Sequence, residues 1–448
     1  MALPGAQIGL DTPVRFADPP PDAVDVAVIG GGVAGICTAL YLARAGQRVV
    51  VLEKGRVAGE QSGRNWGWVR QQGRDFAELP IMMEAMRLWQ GLAQEIGHGL
   101  GFRQTGVLYL ADNAADMARY EDWMATARTH GLDTRVMGRA ELDEKLPNAA
   151  GWIGGLWTGS DARAEPFVAV PLIAQLAQAA GARVIEACAV RALDISAGRV
   201  TGVVTENGRI AAERVVLAGG AWSALFARAH GVRLPQLSVR ATVCATEPLP
   251  EFWAGAAADA RFAFRRRADG GYTLAPGTFH EHFIGPDSFR NLRLFLPQIR
   301  RDLSGTRLLP RAPAGYPDGW GTPRRWAADQ PSPFEKMRVL NPAPNMKVIE
   351  KLRDAFARTF PDLGRPAIAR AWAGMIETTP DQVPVLDHTP LPGLTILTGL
   401  SGHGFGIGPG VGRVTADLVM GRDPGHDLHR FRFGRFSDGS AIELGPSL

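Results

Sequence analysis

Residues 24–54 read VDVAVIGGGVAGICTALYLARAGQRVVVLEK, and this stretch decides the fold. Val24 to Ile29 is an apolar, β-branched run without alternation, the pattern of a strand covered on both faces. Gly30-Gly31-Gly32-Val33-Ala34-Gly35 follows as G-x-G-x-x-G. Ile36, Leu40 and Leu42 then suggest a helix that closes near Gly46. Arg48 to Leu52 reads as a second strand, with Glu53 and then Lys54 at its end. Each part suits a dinucleotide. Gly30 permits the tight turn, Gly32 lets a pyrophosphate approach the backbone, and Gly35 lets the helix pack on the strand. Val33 and Ala34 start the helix, where N–H groups and the positive dipole end meet the phosphates. Glu53, 18 residues past Gly35, is placed to accept ribose hydroxyls. A Gly-rich turn beside an incidental Glu is the plainer alternative.

The rest of the chain sets bounds. Its 448 residues exceed one hydrophobic core, so two or more are expected. Hydrophobic residues at 46% and charged residues at 21% are ordinary for a globular protein. Lys supplies five of the 49 basic residues (54, 145, 336, 347, 351), leaving 44 to Arg, so any single Arg is a weak site marker. With a net charge of +4 and no long basic block, nucleic-acid binding is not expected. No apolar run reaches the roughly 18–20 residues of a membrane span, so no integral membrane contact is expected. Cys37, Cys188 and Cys244 are few and scattered, which suggests neither a disulfide framework nor a metal site and fits a reducing, cytoplasmic setting. Residues 1–23 lack a signal pattern and read as an extended arm.

Two more glycine-rich segments extend the dinucleotide reading. RVVLAGGAW at 214–222 is a strand ending in small residues, so Ala218, Gly219 and Trp222 can lie against a cofactor. ARVIEACAV at 182–190, ending at Val190, and Arg199 to Val204 read as strands of a meander. GLSGHGFGIGPG at 399–410 follows a strand at Thr395 to Thr398 and precedes a helix expected from about Pro409 to Met420. The positive end of that helix suits a flavin pyrimidine ring, which becomes anionic on reduction. A glycine-rich helix cap is the alternative. No second G-x-G-x-x-G and no C-x4-C pair are present, which argues against a separate NAD(P)H domain and against a disulfide reductase.

The chain resembles the D-amino-acid-oxidase-like (glycine oxidase and sarcosine oxidase) family of FAD-dependent amine oxidoreductases. The resemblance spans roughly residues 24–435. It rests on VIGGGVAG and VVVLEKG at 28–55, VVLAGGAW at 215–222, WAGMIETTPDQVPVLD at 372–387 and GLSGHGFGIGPG at 399–410. SGRNWGWVRQQ at 62–72 resembles the loop that family members place beside the isoalloxazine ring. The implied fold is α/β: a Rossmann-type FAD-binding domain with an interleaved α+β substrate domain on an antiparallel sheet. The FAD domain would take 24–100, 150–235 and 345–435, the substrate domain 101–149 and 236–344, and the tail 436–448. Candidate strands of the substrate domain are Ala241 to Ala245, Phe262 to Phe264 and Tyr272 to Leu274, and Asn113 to Leu146 reads as an amphipathic helical pair. Phe431 onward reads as a surface segment.

The implied reaction is oxidation of a C–N bond in an amino acid or secondary amine, with the imine then hydrolysed. The electrons would pass to oxygen or, in a dehydrogenase, to a quinone or carrier protein. A tRNA-modifying flavoenzyme and a flavin subunit of a larger complex are further readings. Some relatives attach flavin through a His near the 62–68 loop or a Cys in the C-terminal third. Arg64 and Asn65 stand in the loop here and the last Cys is Cys244, so FAD is expected to be non-covalent. Ser62, Arg64, Asn65, Trp66 and Gly67 are cofactor candidates, with Gly402, His403, Gly404, Phe405, Gly406 and Ile407 from the second loop. His403 would contact the ring or the substrate as an imidazolium. Arg64 and Asn65 would bond flavin or a substrate carboxylate, while Trp66 and Trp68 would wall the ring. A carboxylate wants a bidentate Arg. Arg265, Arg267, Arg324 and above all Arg338 are the candidates. Trp372 would line the pocket, and Asp381 reads as a turn cap. No metal site is expected.

Overall fold

The computed structural model describes residues 7–302 and 305–446. The first six residues of the expected arm and the last two of the tail lie outside the described residues. The first strand, Ala23–Ile29, pairs in parallel with Val49–Leu52 on one side and with Gly208–Leu217 on the other. Arg183–Ile185 and Leu394–Thr398 extend the parallel sheet at its two ends. An antiparallel meander, Val190–Ser196 and Arg199–Thr205, and the strand Val385–His388 complete eight strands. The lack of alternation in the first strand has its expected cause. Val26 and Val28 enter one core while Ala27 and Ile29 enter another, so both faces are covered. Helices Val33–Arg44, Glu78–Ile96, Pro166–Ala179 and Gly404–Met420 pack on the first face, with Leu40, Trp89, Ile173 and Val411 fully buried among them.

The second sheet has ten strands built around Leu237–Thr246 and Ile368–Thr378, which pair antiparallel from Leu237↔Thr378 to Thr246↔Ile368. It is mainly antiparallel, with parallel pairings of Val107–Ala111 to Ala256–Ala258 and of His280–Phe283 to Thr306–Leu309. Two of its strands, Gly154–Thr158 and Ile368–Thr378, come from segments assigned by sequence to the nucleotide side. The helix Met346–Thr359 also packs in this sheet's core, through Ile349, Leu352 and Phe356. The expected helical pair over 113–146 is Ala114–Thr129 and Arg139–Lys145, with the strand Thr134–Gly138 between them. A small third sheet joins Trp68–Val69 to Ala162–Arg163 and Arg103–Gln104, tying the 62–72 loop to the larger sheet's neighbourhood.

Two further expectations are corrected. The last long helix starts at Gly404, not Pro409, so Gly404, Gly406 and Gly408 are already helical, Gly399 and Gly402 precede the helix, and Pro409 lies inside it. The tail is not wholly superficial: Phe431 is fully buried, and Arg435 forms a buried ion pair with Asp381 at 2.7 and 2.9 Å. That partner, with a further bond from Val383 N, gives Asp381 more than a turn to hold.

Candidate active site

One cleft of about 1120 Å³ runs between the sheets. It starts at Ile29, Leu52 and Leu217, the C-terminal ends of the parallel strands, where α/β sheets bind ligands. It ends between the 62–74 loop, the 400–406 loop and the second sheet, represented by Tyr109, Val239 and Ile376.

At the first end, Gly30 has φ +111°, and a Cβ there would run into the Ala218 carbonyl oxygen. A Cβ on Gly35 would strike the Gly30 carbonyl, so Gly35 serves helix packing rather than the lining. Gly32 and Val33 face the cleft, and Val33 N donates to Ser62 Oγ at 2.9 Å. Glu53 accepts from Gly31 N and Gly55 N, each at 2.7 Å, one per carboxylate oxygen. Each oxygen keeps a lone pair for a ribose hydroxyl. Burial pushes the Glu53 carboxyl up to about 7, against the opposing pull of Lys54 and the two amides. Lys54 Nζ bonds Glu60 at 2.6 Å and lies 4.5 Å from the centroid of Trp222, whose Nε1 donates to the same Glu60. Ala34, Val190, Ala218, Gly219 and Trp222 also line this half.

At the other end, Trp66 and Trp68 meet edge to face with centroids 5.5 Å apart, and both line the cleft. Asn65 lines it too, but its side chain accepts from Gly67 N and donates to Ser62 O, each at 2.7 Å, so it fixes the loop. Gly67 has φ +79° and a Cβ there would meet the Ala164 carbonyl, so it shapes the loop from behind. Arg64 is 3% exposed and its guanidinium bonds Gly59 O, Asn341 Oδ1 and Ala373 O. Burial lowers its pKa to about 10, and its donors are committed to the protein rather than to a carboxylate. Gly402, His403, Gly404, Phe405 and Gly406 line the cleft, whereas Ile407 is fully buried in the helical core.

His403 lies against Glu78. Burial pushes its pKa below the ordinary value, against the pull of Glu78, whose carboxylate lies 3.6 Å from Nδ1. Glu78 is itself fully buried; burial acts to raise it, but His403 and Arg74 outweigh this and hold it below the carboxylate range. Arg74 donates to Glu78 and to the His403 carbonyl, which ties the two loops together.

The other substrate candidates stand elsewhere. Arg338 grips Glu206 with both guanidinium nitrogens, at 2.5 and 2.8 Å, and bonds Lys54 O, beside the first end of the cleft. Arg265 is buried against Glu165, Arg267 against Asp269, and Arg324 pairs with Asp318. Trp372 is 2% exposed, packs edge-on against Phe167 and donates to Arg64 O, one layer behind the lining.

Two residues not singled out by sequence occupy the second end of the cleft. Arg70 lines the cleft with its guanidinium 5.5 Å from the centroid of Tyr109, and forms no ion pair among the described residues. It follows Trp68 in the quoted 62–72 loop, which was the available signal. Glu377 is buried; its Oε1 accepts from Leu400 N at 3.3 Å, while Oε2 has no partner among the described residues. Burial pushes its carboxyl up to about 7. The acid four residues before Asp381 was its only trace in the sequence. No Cys lines the cleft.

Residues 25–418 match the family model described as FAD dependent oxidoreductase, DAO. The chain is 27% identical over 437 residues to the sarcosine oxidase subunit beta of Rhizobium meliloti, covering 96% of this chain and 92% of the relative. It is 25% identical to the D-amino acid dehydrogenase of Paramagnetospirillum magneticum, covering 92% and 99%. The solved structure of the L-amino acid deaminase from Proteus myxofaciens superposes with a TM-score of 0.90 at 30% identity, covering 95% of this chain and 96% of that one.

Proposed function

The chain belongs to the DAO family of FAD-dependent oxidoreductases, and we propose that it oxidises the C–N bond of a carboxylate-bearing amine in the cleft described above. Its relatives are amino-acid and amine oxidases and dehydrogenases, and FAD is their cofactor. The residues fit FAD. Gly30 and Gly35 can be no larger, Glu53 has a free lone pair on each oxygen, and the cleft continues from there to the start of the Gly404–Met420 helix. The eight-stranded sheet with its helices would be a Rossmann-type FAD domain, and the ten-stranded sheet the substrate domain. When bound, FAD supplies the redox step by accepting the electron pair and hydrogen lost from the carbon beside nitrogen.

The chain's own residues supply binding and proton handling. Arg70 is the cleft guanidinium of this end best able to hold a substrate carboxylate: it forms no ion pair among the described residues and bonds the Gln72 carbonyl through Nη1 alone, whereas Arg64 is held by Gly59 O, Ala373 O and Asn341, and Arg74 and Arg119 are paired with Glu78 and Asp116. Trp66, Trp68 and Tyr109 wall the site and exclude water. A neutral His403 can accept the proton that a substrate ammonium must lose, and Glu377 Oε2 can hold a proton near neutral pH. With no Cys in the lining and Arg64 and Asn65 in the loop, FAD is held without a covalent bond. The single observation that carries this reading is the continuity of one cleft from Glu53 to Arg70 and His403. Anaerobic mixing of the flavin-loaded protein with D- and L-amino acids, N-alkyl glycines, cyclic imino acids and polyamines tests it. Bleaching by a carboxylate-bearing amine is expected; no bleaching across the set would overturn it. Peroxide formed in air then separates an oxidase from a dehydrogenase.

A further inference from the structure

The outer rim of the cleft is apolar and exposed. Phe289 and Leu308 are each 63% exposed, and Leu292, Ile299 and Trp320 are also exposed. Phe289, Leu292, Ile299 and Leu308 line the mouth, and Trp320 sits 6.1 Å from Phe289, centroid to centroid. Single exposed apolar residues mean little, but five grouped at one opening form a patch that calls for a partner. The segment carrying most of them is Pro286–Arg290, Leu292–Arg301 and Thr306–Leu309. In the middle helix Phe295 is buried and anchors the stripe, while Leu292 and Ile299 on the same stripe remain exposed.

The charge around this patch decides the partner. Residues 286–311 contain six arginines (290, 293, 300, 301, 307, 311) against two aspartates (287, 302) and no glutamate. Arg293, Arg300, Arg307 and Arg311 are exposed and none forms an ion pair among the described residues. Elsewhere in the chain, arginines are commonly paired with carboxylates, as Arg191 is with Glu335 and Arg413 with Glu84. An apolar, aromatic-bearing stripe edged by arginines is the composition of a segment that lies in a membrane interface, with its apolar side in the acyl boundary and its cations at anionic headgroups.

We infer that the mouth of the cleft docks on an anionic lipid surface through Phe289, Leu292, Ile299, Leu308 and Trp320, with Arg293, Arg300 and Arg307 at the headgroups. No helix of the described residues is long and apolar enough to cross a membrane. The inference does not depend on the amine chemistry: the residues its test changes, Arg293, Arg300, Arg307 and Trp320, do not line the cleft.

The test is co-sedimentation of the flavin-loaded full chain with vesicles of phosphatidylcholine alone and of phosphatidylcholine with phosphatidylglycerol. At least about tenfold tighter binding to the anionic vesicles is expected, weakening as salt is raised. The triple variant R293E/R300E/R307E should lose that preference, and Trp320→Ser should lower the binding that survives high salt. Both should keep the flavin absorbance and Tm, which separates loss of docking from loss of fold. Equal binding to both vesicles, no binding, or unchanged binding by the triple variant would overturn the inference. So would a patch that is already covered, seen as a dimer or a stable complex that Trp320→Ser dissolves.

Discussion

Arg70 and Arg338 show what a residue's surroundings add to its type. Arg338 stood out in sequence because it precedes the return to the glycine-rich half, yet Glu206 neutralises it beside Lys54. Arg70 looked like one of many arginines until the fold set it beside Tyr109 without an acidic partner among the described residues. A carboxylate hydrogen-bonded to a guanidinium is stabilised by roughly 1.5–3 kcal/mol, so Arg70→Ala should raise KM for a carboxylate substrate about 10- to 100-fold. Steady-state kinetics checks this, and a larger effect on kcat than on KM would count against a binding role. Glu377 gives a pH prediction. A glutamate in the unfolded chain titrates near 4.5 and this one near 7, so between those values the folded state holds the extra proton. Stability from this group therefore falls as pH rises from about 4.5 to about 7, and the cost is fully present above 7. Glu377→Gln mimics the protonated form. It should unfold at a Tm higher by about 2 °C or more at pH near 8 and match the wild type below about pH 4; a constant difference across pH would contradict the assignment.

At the level of elements, the first strand, loop, helix and second strand were legible because each local rule pointed the same way. The β-branched run was confined to a strand, the glycines to the turn, and the acid to the strand end. The last helix was misread at its start. Pro409 suggested a first position, but Gly404, Gly406 and Gly408 before it are already helical because the helix must press against its neighbours. A Cβ on Gly412 would come against the Cys37 backbone and one on Gly410 against Ile81, so small residues are needed along the face turned to Val33–Arg44 and Glu78–Ile96. Gly412→Val should therefore destabilise the chain by about 1–3 kcal/mol through overpacking. Denaturant unfolding measures this, and an unchanged midpoint would show that the two helices can part without cost. Ile368–Thr378 was hidden for a different reason. Its pairing partner, Leu237–Thr246, lies more than a hundred residues away, and no local pattern reports so distant a pairing.

The whole molecule was legible in class but not in assembly. Length and composition called for more than one core, and three glycine clusters called for one extended cofactor. Which segments cross from one sheet to the other, and that the tail buries Phe431 and Arg435, depend on contacts that only the folded chain makes. The exposed rim at 286–311 likewise became visible only when its apolar residues met at one opening. A single cleft is proposed to hold one FAD along its length, by non-covalent contacts alone. Titration of the flavin-free chain with FAD, followed by acid precipitation, tests it most directly. Saturation at one FAD per chain is expected, with Glu53→Ala binding more weakly and the yellow colour passing into the acid supernatant. A chain that stays colourless in excess FAD would contradict the cleft, and colour retained in the precipitate would contradict its non-covalent hold.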